Sequence, residues 1–251
     1  MPKAMVLTVG LFLASPLLAA ADGLKLYGPG GPAPAMKEVA AKYETESGMT
    51  VEVIAGPTDK WMDEAQQNAD ALFSGSQNMM DDFIESYGNV LSETVDPLYL
   101  RPSTLLVRKG NPKCFDGVLS LMQEDVAIMV VDGAGQVGMW EDVVGRTRDI
   151  DNMRKFRDNI AFAAPNSGVA KQRWMENDEL DAWLIWNHWQ IDNPDIAEEV
   201  VIEPEFRIYR DVAVAKTSKG AENPELGAFL DYLKSDSASQ IFADHGWQKA
   251  F

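Results

Sequence analysis

Two long extended stretches constrain this chain more than any other feature. The first, residues 94–112 (TVDPLYLRPSTLLVRKGNP), carries Pro97 and Pro102, and a residue that precedes proline is pushed out of the helical region. The second, residues 198–216 (EEVVIEPEFRIYRDVAVAK), is rich in β-branched residues and lacks helical spacing. Each is longer than an ordinary strand. Ahead of the first, strand-like and helix-like segments alternate. GLKLYG reads as a strand, residues 33–48 carry Met36, Val39, Ala40 and Tyr43 at helical spacing and stop at Gly48, and MTVEVIAG reads as a second strand. DKWMDEAQQN, ADALFSGS and NMMDDFIESYG complete a βαβαβα series, the pattern of a parallel sheet with helices on its faces.

A second set lies between the two extended stretches. FDGVLSLMQ reads as helical, EDVAIMVVDG as a buried strand, GAGQVG as a loop, and residues 139–159 as a helical region. NIAFAAPNSGVAKQRW reads as strand, loop and helix start, and DELDAWLIWNHWQID as an amphipathic helix rich in tryptophan. The tail (PELGAFLDYLKSDSASQIFADHGW) predicts two helices packed on the first unit. The expectation is an α/β protein of two lobes with two parallel or mixed sheets and a double-strand hinge. Residues 22–98 plus 211–251 form the first lobe and residues 99–210 the second, with crossings near 97–102 and 205–210.

Ligands of open α/β sheets sit beyond the carboxyl ends of the strands. Four loops fall there: GPGGP, SGSQN, GAGQVG and PNSG. Gly28, Gly30 and Ala33 fit a G-x-G-x-x-A dinucleotide fingerprint, but Pro29 and Pro32 remove amide donors. The next strand ends Ile54-Ala55-Gly56, without the acidic residue that would hold a ribose. The loop therefore reads as a small-anion site through Gly30 and Gly31, or as a structural turn. Ser74, Gly75 and Ser76 offer hydroxyls and amides ahead of a helix, for a ligand or for capping. Gln136, Val137 and Gly138, and then Asn166, Ser167 and Gly168, repeat the theme in the second lobe. Arg101 in the first crossing and Arg210 beside Tyr209 in the second supply forks suited to carboxylate or phosphate, with a surface or interlobe salt bridge as the alternative for each.

The first residues resemble an export signal. Lys3 is followed by an apolar run through Leu18 that is interrupted by Gly10 and Pro16 and closes on Ala19-Ala20-Ala21. Cleavage before Asp22 would leave about 230 residues, enough for one large domain or two lobes. The formal charge is −17, and losing Lys3 takes it to −18. Such a surface repels nucleic acid and anionic lipid, so an anionic ligand would need a locally favourable site. The single cysteine, Cys114, has no partner in the chain, and reads as an incidental residue or a reactive thiol.

His188 and His245 have no metal-ligand spacing to each other or to Cys114, and read as packing or surface residues. There is no phosphate-binding loop of the G-x-x-x-x-G-K-S/T kind and no G-x-S-x-G elbow. No catalytic residue, cofactor or metal is expected, and the reading is a binding protein rather than an enzyme. Trp183, Trp186 and Trp189 read as core or an interlobe wedge, with a sugar platform or a dimer contact as alternatives.

The segments LYGPGGPAPAMKEVA, AGPTDKW, LFSGSQNMM, LRPSTLLVRKGNP, VDGAGQVGMWED, NSGVAKQRW and IYRDVAVAK resemble the accessory colonisation factor AcfC family. That family is similar to the molybdate/sulfate (type II) periplasmic solute-binding proteins. The resemblance covers essentially the whole chain after the leader. It implies the two-lobed binding-protein fold, a periplasmic or surface location and a small anionic ligand, either a phosphorylated three-carbon acid or a citrate-like carboxylate. It also implies an inner-membrane transporter of the ABC type as partner. Inorganic sulfate or molybdate, and a role as a dimeric adhesin on the same scaffold, are the alternatives. It carries ligand contact to Ser74, Gly75, Ser76, Gln136, Gly138, Ser167 and Gly168.

Overall fold

The computed structural model describes residues 23–251; the expected export signal lies outside them. The first unit runs β1 (Leu24–Gly28), α1 (Ala33–Ser47), β2 (Val51–Ala55), α2 (Met62–Asn68), β3 (Ala71–Phe73) and α3 (Gln77–Tyr87). Strand β1 sits between β2 and β3 in parallel register. The alternation seen in the sequence is thus realised: Met36, Val39, Ala40 and Tyr43 turn one face of α1 into the core, and the helix stops at Gly48, whose φ of 77° is a left-handed C-cap.

Strand β4 (Asp96–Val107) then runs through both lobes. Its first half, from Asp96 to Pro102, pairs antiparallel with β9 (Tyr209–Lys216). Its second half, from Ser103 to Val107, pairs with β7 (Ala182–Trp186). The change of partner falls at Pro102–Ser103. The amide of Ser103 donates to Ile208 O (2.8 Å) and its hydroxyl accepts from Ile208 N (3.0 Å), so the two crossing strands are stitched where they pass between lobes.

The second unit contains β5 (Ile128–Val131), α4 (Met139–Gly145), α5 (Ile150–Asp158), β6 (Ile160–Ala164), α6 (Ser167–Glu176), β7, α7 (His188–Asp192) and β8 (Glu198–Val200). The strand order of the whole is β2-β1-β3-β9-β4-β7-β5-β6, with β8 added to β4. After β9 come α8 (Ser218–Ala221), α9 (Pro224–Tyr232) and α10 (Asp236–Asp244). Leu226, Phe229, Leu233 and Phe242 from this tail share a core with Leu24, Leu26 and Met36, so the chain returns to the lobe it began in. Leu105, Val130, Trp174 and Trp183 belong to a separate core in the second lobe.

Three sequence expectations are corrected. The tryptophan-rich stretch 178–192 is not an amphipathic helix. Its centre is β7, all five residues of which are buried, followed by the short α7. Tryptophans at 183, 186 and 189 mimic helical spacing, while a strand buried on both faces shows no alternation to betray it. The second extended stretch is not one strand: β8 and β9 are separated by a turn over residues 204–206. FDGVLSLMQ forms only a short 3-10 turn, Val118–Met122.

This placement makes Trp183 a central-strand core residue with no exposed surface. Trp183→Ala is expected to cost about 3–5 kcal/mol of unfolding free energy in a urea titration. A cost below about 1 kcal/mol would fit a half-exposed helix and contradict β7.

Candidate functional site

The carboxyl ends of β1 and β3 and the start of α6 meet around a cavity of about 230 Å³ between the lobes. Pro29, Gly30, Gly31, Pro32 and Gly75 line it from the first lobe, and Gly135, Gln136, Asn166, Ser167, Gly168 and Trp189 from the second. Helices α1, α3 and α6 all begin at this wall. The first amides of α3 and α6 have no intrahelical acceptors, so each start is an electropositive end worth about 0.3–1 kcal/mol toward an anion, whereas α1 offers fewer donors because Pro34 has no amide hydrogen and Ala33 N donates to Gly30 O (3.3 Å).

Arg101 lies at the floor, on β4 just before the lobe crossing, and is 3% exposed. Its Nη2 donates to the carbonyl of Gly75 (2.8 Å). Its guanidinium carbon is 4.8 Å from the ring centre of Trp186 and 4.4 Å from that of Trp247, so the fork is held between two indole faces. A Cβ on Gly31 would stand 2.9 Å from Nη1, and one on Gly75 3.1 Å from Nη2, so a side chain at either position would press on the guanidinium. Burial pushes the Arg101 pKa down to about 9, against the opposing pull of Asp211. It is still a cation at neutral pH. Among the described residues no carboxylate forms an ion pair with it, and its buried Nε has no partner. Asp211, the acid that influences it most, is engaged by Gln77.

His188 packs beside Arg101, with ring nitrogens 3.4 and 3.5 Å from Nη1. Burial, reinforced by the Arg101 charge, holds its imidazole well below the ordinary histidine value, so it faces the cation as a neutral ring. Behind it, the C-terminal segment fastens α7 to the first lobe. His245 bonds Asp192 (2.9 Å) at the end of α7 and Glu38 (3.0 Å) on α1, and Asn187 donates to Gly246 O (3.0 Å).

In the second lobe, Asn166 caps α6 by accepting from Val169 N (3.0 Å), leaving the amides of Ser167 and Gly168 at the helix start. Gln136 Nε2 donates to Ser167 Oγ (2.6 Å). Arg101 is the one charged side chain among the lining residues, so the wall contains no carboxylate to repel an anion.

The sequence candidates divide on this geometry. Gly30, Gly31, Gly75, Arg101, Gln136, Asn166, Ser167 and Gly168 are brought together on the cavity wall. Ser74 is buried beside it with an unpartnered hydroxyl, and Ser76 spends its oxygen on capping α3 through Met79 N (3.2 Å). Val137 points outward, 54% exposed, and Gly138 takes φ 72° at the start of α4 away from the lining. Tyr209 packs against Phe251 with ring centres 5.3 Å apart, and Arg210 forms an ion pair with Asp142 of α4, the salt bridge that was its alternative. Sequence reasoning missed Gly56, Pro57, Thr58 and Met79, which also line the cavity. It placed Trp189 with the packing residues and His188 with the surface or core, although Trp189 faces the cavity and His188 abuts the arginine. Among the described residues no cluster of His, Cys, Asp and Glu could hold a metal ion, and no helix is long and apolar enough to cross a membrane.

The chain belongs to the bacterial extracellular solute-binding proteins: the family model matches residues 24–248. It is similar to PEB3 in its L-phospholactate-bound crystal structure, with 36% identity, a TM-score of 0.85, and coverage of 90% of this chain and 99% of PEB3. PEB3 from Campylobacter jejuni gives 36% identity, a TM-score of 0.84 and the same coverage. The sulfate-binding protein SubI from Mycobacterium tuberculosis H37Rv shares the fold at 13% identity and a TM-score of 0.74, covering 90% of this chain and 86% of SubI. No curated protein sequence matches the chain. The two-lobed solute-binding fold expected from the alternation of elements is the one found.

The His245 bridge gives the structure a pH dependence. Burial opposes its charge, but hydrogen bonds to Asp192 and Glu38 outweigh this and raise its pKa. A raised histidine stabilises the fold at pH below its unfolded value of about 6.5, and that contribution fades as pH rises through the folded value. His188, lowered in the fold, works in the opposite sense. The Tm difference between the wild type and His245→Ala should therefore be larger at pH 6 than at pH 8.5. A difference that is equal at both, or larger at pH 8.5, would contradict the bridge.

Proposed function

We propose that the protein is a periplasmic receptor that closes its two lobes on a small organic anion and delivers it to an inner-membrane transporter of the ABC type. The observation that carries this reading is Arg101, a buried cation without a paired carboxylate, at the floor of a cavity that holds no acidic side chain. Burying an uncompensated charge is expensive. An anionic ligand supplies the missing partner, and three helix starts add to the attraction.

The cavity volume favours an organic ligand. At about 30 Å³ per water, 230 Å³ corresponds to about eight water volumes, more than one tetrahedral oxyanion needs. PEB3 is seen with L-phospholactate, and a phosphorylated three-carbon acid or a citrate-like carboxylate is the ligand class proposed here. The resemblance to the AcfC family, with its leader and export, agrees with this role. Gly30, Gly31, Gly75, Arg101, Gln136, Asn166, Ser167 and Gly168 are the proposed contacts. Residues 22–98 plus 211–251 and residues 99–210 are the proposed moving bodies, hinged where β4 changes partner.

Binding at one hundred times Kd adds about 2.7 kcal/mol to stability. For a chain of this size that is a Tm rise of about 5–10 °C. Screening phosphoglycerates, phospholactate, citrate, sulfate and molybdate should give such a rise for an organic anion. Arg101→Met should abolish the rise while leaving the ligand-free Tm unchanged or higher, because it removes an unpaired buried charge. An undiminished rise in that variant would remove Arg101 from the site.

A further inference from the structure

Gln136 is 6% exposed, lines the cavity, and is fixed on one side only. Its Nε2 donates to Ser167 Oγ, whereas its Oε1 is buried and has no hydrogen-bond partner among the described residues. A buried acceptor left unsatisfied loses the hydrogen bonds it would make to water. The floor of the cavity shows the opposite need. Arg101 Nε is a buried donor without an acceptor. One side of the cavity therefore lacks an acceptor and the other lacks a donor.

We propose that Gln136 is a specificity-determining residue that accepts a hydrogen bond from a hydroxyl of the ligand, so that the site binds small hydroxylated organic anions more tightly than otherwise matched anions without a donor. This rests on the anion-receptor reading given above. In the bound state the anionic group meets the Arg101 fork, and the ligand hydroxyl points at Gln136 Oε1. Ser167, whose oxygen already accepts from Gln136, has its own proton free to donate to the same ligand. Sulfate carries no proton at neutral pH. Its oxygens would face the Oε1 lone pairs across a dry gap, and the acceptor would stay unpaired. A site built to bond a substrate hydroxyl discriminates strongly against the analogue that lacks it, because the loss is suffered by the protein group as well.

The test uses two pairs matched in charge and differing in hydroxylation: L-malate against succinate, and glycerol 3-phosphate against propyl phosphate, with sulfate alongside. Isothermal titration of the full exported chain reads Kd for each. In any pair that binds, the hydroxylated member is expected to be about tenfold tighter or better, and sulfate weaker than both hydroxylated probes. Gln136→Leu should shrink the difference within a pair, with the hydroxylated member losing more affinity than its partner. Equal affinities within the binding pairs, or a difference that survives undiminished in Gln136→Leu, would overturn the proposal; the wild-type comparison decides even if the variant fails to fold. Sulfate binding tightest would mean that the amide presents its NH2 to the cavity, and would overturn it as well. If none of the five anions, nor citrate or phospholactate, binds, the receptor reading falls and takes this proposal with it.

Discussion

A buried arginine with no carboxylate is the constraint around which this molecule is arranged. Arg101 needs three things to exist where it is: faces to lie against, an acceptor for at least one N–H, and a reason to remain charged. The two indoles supply the faces, one from β7 of the second lobe and one from the C-terminal segment packed on the first. The Gly75 carbonyl supplies an acceptor. Gly31 and Gly75 carry no Cβ because the guanidinium occupies that space. Each support comes from a different part of the chain, and they converge because β4 carries Arg101 to the point where the lobes join. The proposed closing motion about β4 and β9 would pivot next to this cation.

The acidic surface and the cation-poor cleft belong to one electrostatic scheme. A chain of charge −17 repels anions at long range. Salt screens that repulsion beyond about 8 Å at physiological ionic strength. Inside the cleft, where screening is weak, the helix starts of α1, α3 and α6 and the Arg101 fork act over short distances. Micromolar binding needs about 8 kcal/mol, and helix ends alone supply only a few. In the proposed receptor, the buried guanidinium supplies the attraction that ordinary βα turns lack.

Much of this was legible in the sequence. Alternating elements and two extended stretches announced two α/β lobes joined by a double crossing, because period and proline placement are local signals. The four strand-end loops and Arg101 followed from where such sheets bind ligands. Arg210 could not be separated from Arg101 by sequence: both lie on the crossing strands, directly opposite one another in register. What distinguishes them is an acid in α4 that reaches only Arg210. The fate of residues 178–192 was also hidden. A strand buried on both faces loses the alternation that marks a strand, and its tryptophans fall at intervals of three. With that strand misassigned, the position of Trp186 against Arg101, of Trp189 on the cleft wall and of His188 behind it was out of reach. The orphaned Gln136 oxygen is a property of side-chain packing and has no sequence signature.

The central claim is that an organic anion completes the Arg101 pocket, and native mass spectrometry of freshly purified protein tests it most directly. The account predicts a one-to-one adduct with the mass of a small organic anion, retained by the wild type and missing from Arg101→Met. Wild-type protein that keeps its bare polypeptide mass even after incubation with saturating phospholactate or citrate would contradict it, as would an adduct held equally well without the arginine.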